Sequence, residues 1–71
     1  MNGEQNEDLE LIQHWFEEQG FRLSIEREDE ALYWADLIRL PSGRIVAPRY
    51  GRGNSKLAAA RRAKERYAEE Q

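Results

Sequence analysis

Between Leu9 and Ile25 the apolar residues change their period. Leu9, Leu11, Ile12, Trp15 and Phe16 recur at helical spacing, whereas Phe21, Leu23 and Ile25 alternate with Arg22, Ser24 and Glu26. The first pattern lays an apolar stripe along a helix, and the second lays an apolar face along a strand. One element cannot carry both periods, so a break must fall between Phe16 and Phe21, where Gly20 stands. Glycine adopts the left-handed conformation that closes a helix at little cost, and Phe21 after it can pack back on Phe16. The spacing predicts a helix over about 7–19. Asn6 is the expected N-cap, with Glu7 and Asp8 in the first turn, where the helix dipole favours acids. Residues 1–6 are expected to form a flexible N-terminus, and 7–71 a single domain.

The rest of the chain reads as two more strands and a second helix. After the charged connection Arg27-Glu28-Asp29-Glu30, the run ALYWADLIRL is rich in strand formers, and LPSG ends it as a four-residue turn. RIVAPRY follows as a third strand. Pro48 within it has no N–H for a ladder, which predicts a sheet edge or a bulge. Gly51 and Gly53 are expected to break this strand, and Ser55 to cap a helix running to about residue 69. The expected fold class is α+β, in the order α-β-β-β-α, with a three-stranded antiparallel sheet and two helices packed on one face.

At 71 residues such a domain buries only about 60% of the surface its unfolded chain exposes, so its few large aromatics must supply much of the core. The chain has no cysteine, hence no disulfide framework and no thiolate metal site. No apolar run approaches the roughly 20 residues that cross a membrane, and Met-Asn-Gly-Glu is not a basic, apolar leader. The expectation is a soluble cytoplasmic protein with no membrane partner and no small-molecule cofactor.

The net charge of −3 conceals a division. Residues 1–38 carry two bases, Arg22 and Arg27, against eleven acids; residues 39–71 carry nine bases against three acids, Glu65, Glu69 and Glu70. A molecule this bipolar can offer a basic face to a polyanion, although its halves can equally neutralise each other. In the second helix, Ala59, Ala63 and Tyr67 form a narrow stripe suited to close approach to the sheet. Lys56, Arg61, Arg62, Lys64 and Arg66 occupy the other faces. The bases crowd the start of the helix and the acids its end, opposite to what the macrodipole favours, and Arg61-Glu65 and Arg66-Glu70 run in the weaker i,i+4 direction. Helix stability therefore does not account for the bases.

The stretch YGRGNSK, residues 50–56, leads into this helix. Its two glycines free the backbone to come close to a ligand, at Gly53 above all, while the first N–H groups of the helix lack acceptors. A phosphate at this point would meet those N–H groups, the positive end of the dipole and Lys56, with Arg52 and Arg49 in reach. The spacing is not that of a Walker loop, and the third glycine of a dinucleotide fingerprint is missing. An ordinary strand-to-helix turn with a serine cap is the plainer alternative.

The element order, with GRGNSKLAAARRA joining the third strand to the last helix, resembles the double-stranded RNA-binding domain. That family carries Gly-x-Gly-x-Ser-Lys-Lys-x-Ala-Lys at this junction, which Gly51, Gly53, Ser55, Lys56 and Ala59 match. Ala63 falls on its next packing alanine. The resemblance implies binding of duplex RNA, with Lys56 as the principal phosphate contact and Arg52, Arg61 and Lys64 assisting. By the same resemblance, His14 and Glu17 of the first helix take the positions that meet the RNA minor groove. The chain departs from the pattern where the family's second and third lysines stand, at Leu57 and Ala60. The loop that enters a second minor groove in the family is here the acidic 27–30 segment, which repels phosphates.

Two further readings concern the middle strand and catalysis. Tyr33, Ala35 and Leu37 point to one face of that strand, Trp34, Ile38 and Leu40 to the other. Helices can cover only one face, so Trp34 and Ile38, near Ile45 and Val46, are candidates for a protein interface or a homodimer seam. This supports an alternative, a protein-interaction module without RNA binding, loosely similar to small antitoxin-type, phage or accessory regulators. His14 is the only histidine and has no anchoring set of metal ligands, and no serine has a base in reach. No catalytic residue and no enzyme activity are expected.

Overall fold

A computed structural model describes residues 8–71. The elements are α1 (Leu9–Glu18), β1 (Phe21–Asp29), β2 (Leu32–Arg39), β3 (Arg44–Gly53) and α2 (Lys56–Glu69). The sheet is antiparallel in the order β1-β2-β3, so the class is α+β with the expected α-β-β-β-α order. Helix α1 starts later than its spacing predicted. The cap is Asp8, not Asn6, because the Asp8 carboxylate accepts the Leu11 N–H at 2.9 Å and ends the helix there. Asn6, Glu7 and the expected flexible segment 1–6 lie outside the described residues. Gly20 closes α1 with φ +89°, the conformation for which glycine was expected.

Strand β1 runs through most of the acidic segment read as a connection, and only Glu30 and Ala31 form the turn. The turn chemistry lies in Asp29, whose carboxylate accepts the Ala31 N–H at 3.0 Å. Strand β3 is likewise longer than expected. Gly51 and Gly53 do not break it; both pair with β2, opposite Ala35 and Tyr33. The predicted disturbance falls instead at Pro48. Ala35 pairs with Gly51 and Leu37 with Ala47, so Pro48, Arg49 and Tyr50 stand opposite the single residue Asp36. This bulge lies on an edge strand, where a missing N–H costs no ladder bond.

Both helices pack on the same face of the sheet. Ile12 and Phe16 of α1 and Ala59, Ala60 and Ala63 of α2 are fully buried against Phe21, Leu23, Ala35 and Leu37. The glycines are explained by this packing. A Cβ at Gly51 would run into the Ala59 carbonyl and stand 2.7 Å from the Ala63 nitrogen. One at Gly53 would stand 2.5 Å from the Ala59 nitrogen. Bare backbone on β3 and alanine on α2 thus let helix and strand touch. Tyr67, on the same stripe of α2, meets Trp15, Phe16 and Phe21 edge-on, with centroids 5.5, 5.6 and 5.7 Å away.

Two polar devices complete the inner layer. The Gln13 amide donates to the Leu23 carbonyl at 2.8 Å and accepts the Leu23 N–H at 3.0 Å. It therefore pairs with the open edge of β1 as a neighbouring strand would. At the other side, the buried Tyr50 hydroxyl donates to Glu70 at 2.7 Å, and Arg66 donates to the other Glu70 oxygen at 3.1 Å. This fastens the end of α2 to the bulge of β3. Burial, and then the bond to Glu70, push the Tyr50 pKa up to about 12, while the bonds from Tyr50 and Arg66 hold Glu70 below the usual carboxylate range.

Candidate nucleic-acid interface

Helix α2 begins in the open. Asn54, Ser55 and Lys56 are exposed, and the Ser55 hydroxyl accepts the Ala58 N–H at 3.0 Å, as its cap position predicted. The Ser55 carbonyl takes the Ala59 N–H at 3.0 Å. The first-turn N–H groups of Lys56 and Leu57 have no acceptor in the helix, as at any helix start. Among the described residues no carboxylate forms an ion pair with Lys56, whereas Arg62 pairs with Glu65 at 3.4 Å and Arg66 with Glu70 at 3.1 Å. Acids that stand badly with respect to the dipole thus neutralise the bases of the C-terminal half and leave the first turn positive.

The candidate residues fall into three places. Lys56, Arg61 and Lys64 lie along α2, with Gly53 at the end of the strand that leads into it. His14 and Glu17 are exposed on α1, and Lys64 links the two helices by holding its ammonium 5.0 Å from the Trp15 ring centroid. Arg61 and Lys64 also border a shallow depression of about 460 Å³ with Glu65 and Ala68. Arg49 and Arg52 are elsewhere, across the sheet from the helices. Their guanidiniums lie 4.8 and 5.8 Å from the Trp34 ring. The bases grouped by sequence at one helix entrance are therefore divided between the two faces of the sheet.

On that outer face, Trp34 is part of a charged cluster that sequence reading missed. Its indole N–H donates to Glu28 at 2.5 Å, and Arg49 stands 3.6 Å from the same carboxylate. Asp36, 8% exposed, accepts the Arg49 backbone N–H at 2.8 Å. Arg49 takes φ 53°, which a side chain tolerates poorly; the Asp36 bond and the stacking on Trp34 offset that cost. A hollow of about 200 Å³ lies among Glu26, Glu28, Trp34, Asp36 and Pro48. The signal for this cluster was present in a lone carboxylate, Asp36, within an otherwise apolar strand. Ile38, at 6% exposed, is buried on this face rather than open to a partner, and the exposed apolar group in its row is Ile45.

The register also brings opposite charges to one end of the sheet. Tyr33 pairs with Gly53 and Leu32 with Asp29, so the acidic β1–β2 turn and the start of α2 share that end. Compared with family models, with curated proteins and with solved structures, the chain gives no match. Among the described residues, no helix is long and apolar enough to cross a membrane, and no group of three or more His, Asp or Glu is arranged to hold a metal ion.

Proposed function

We propose that the chain is a non-catalytic nucleic-acid-binding module whose ligand is double-stranded RNA, held through its phosphates at the start of α2. The observation that carries this reading is Lys56: exposed, without a carboxylate partner among the described residues, and next to N–H groups that a phosphate oxygen can accept from. The α-β-β-β-α order supports it, since it is the order of the double-stranded RNA-binding domain that the Gly51–Ala59 motif resembles. The cytoplasm is the compartment this reading implies, and the cysteine-free sequence suits it.

The phosphate footprint is smaller than the family's. Leu57, at the second lysine position, packs on the core, and Ala60, at the third, is fully buried. Lys56 therefore acts with Arg61 and Lys64, and His14 and Glu17 provide the minor-groove edge. The acidic turn at the same end of the sheet opposes a second contact region, so binding is weak and its salt dependence is that of few phosphate contacts.

The test is a titration of a duplex of about 16 base pairs, the span such domains read, at several salt concentrations. With three phosphates neutralised, log affinity should fall against log salt with a slope of about −3. Lys56→Ala should weaken binding and reduce that slope by about 1. Affinity indifferent to salt, or unchanged in Lys56→Ala, would overturn the reading.

A further inference from the structure

The outer face of the sheet carries no helix, and each of the two edges beside it is obstructed at one place. Gln13 occupies the backbone groups of Leu23 on the β1 edge, and β3 is interrupted by two register shifts and by Pro48. A partner can meet this face flat rather than extend the sheet. Its residues form rows across the strands. Arg22, Ile38 and Ile45 make one row, and Glu26, Trp34 and Arg52 make another, with β2 in the middle of each. In the second row the acid stands on β1 and the base on β3, so its charge is antisymmetric about β2.

We propose that this face is the seam of a homodimer, with a twofold axis running along β2 between two facing sheets. The axis follows from the charges. Rotation about it lays β1 of one copy over β3 of the other and keeps each row in register. Glu26 then faces the second copy's Arg52, while Glu28 and Arg49 remain paired within each copy. Arg22 lays its aliphatic stem over the second copy's Ile45, 56% exposed in the single chain. Trp34, half-buried in the single chain, meets Trp34 at the centre, as an isologous interface requires. A sheet flipped end over end would set β1 on β1 and lose the pairing of Glu26 with Arg52. At ordinary strand spacings three strands of this length offer on the order of 400 Å² in projection, small beside the roughly 800 Å² per partner of a standard interface. The dimer is consequently weak, and concentration controls it. This inference does not rest on RNA binding, which uses the helices on the other side.

Sedimentation from dilute to near-millimolar protein tests it, with circular dichroism to establish that each variant is folded. The wild type should pass from monomer to dimer with concentration. Ile45→Glu, at an exposed site, should weaken association about tenfold or more, which is about 1.4 kcal/mol. Arg52→Glu should weaken it by setting like charges against Glu26 of the second copy. The double variant Glu26→Arg with Arg52→Glu should recover most of the loss, because both pairs re-form with reversed sign. A wild type that stays monomeric throughout overturns the proposal, as does a dimer untouched by both single substitutions. Failure of the double variant to recover would overturn the axis along β2. A monomer whose Trp34 resonances shift on adding a single-stranded oligonucleotide would give the face to nucleic acid instead.

Discussion

The two helices lie on the same face of one sheet and reach it by opposite means. Helix α1 fills space: Ile12 and Phe16 project from it into the core and are fully buried. Helix α2 removes space: Ala59, Ala60 and Ala63 bring its backbone against the bare backbone of Gly51 and Gly53. The first contact draws on the area of large side chains, the second on close packing between small ones. What differs is tolerance. A cavity under α1 can be partly relieved by neighbouring rings, whereas one added carbon under α2 meets backbone, which cannot turn aside.

The largest effect should come from breaking the α1 contact. Phe16→Ala empties a fully enclosed site among Trp15 and Tyr67 and should cost about 4 kcal/mol by chemical denaturation. Gly51→Ala, the mirror-image change under α2, should cost about 2–3 kcal/mol although it adds only one carbon. Gly20→Ala sharpens the comparison, because no atom lies within 4 Å of a Cβ there and only the positive φ opposes it. It should cost about 1 kcal/mol. If Gly51→Ala proves no worse than Gly20→Ala, the close approach of α2 is not what the strand glycines serve.

The smallest effect concerns the clasp at the far end of α2. Tyr50→Phe should cost about 1 kcal/mol at neutral pH. The Tyr50 pKa rises from 10.0 to about 12 on folding, so the native state holds that proton more firmly. Its contribution is therefore complete below pH 10 and is lost as the pH rises through 12. For Glu70 the shift is downward, so its share is present above about 4.5 and lost on acidification. Tyr50→Phe should flatten the alkaline fall of a stability–pH curve; an unchanged fall would assign it to another group.

Much of this arrangement was legible in the residues. The change of period at Gly20, the Ser55 cap and the Ala59–Ala63–Tyr67 stripe each follow from local rules, and each stands where those rules put it. The errors arose where a local reading and a tertiary contact compete. Gly51 and Gly53 have the composition of a loop, yet they belong to a strand because α2 demands bare backbone beneath it. Asp29 reads in sequence as one more acid of its segment, yet its carboxylate makes the turn. The separation of Arg49 and Arg52 from Lys56 was beyond reach, since it depends on a bulge opposite Asp36 and on strand alternation through it. Neighbours in sequence are not neighbours in space where a bulge and strand alternation intervene.

The Gln13 side chain offers both a donor and an acceptor to Leu23, and its carboxamide does so from two atoms spaced like those of a peptide group. Hydrolysis of that amide during the protein's lifetime would leave a carboxylate facing a carbonyl, and the margin of the sheet would come unsealed. Chemical ageing at one atom would thus bare the Leu23 carbonyl at the edge of β1, where a further strand could pair.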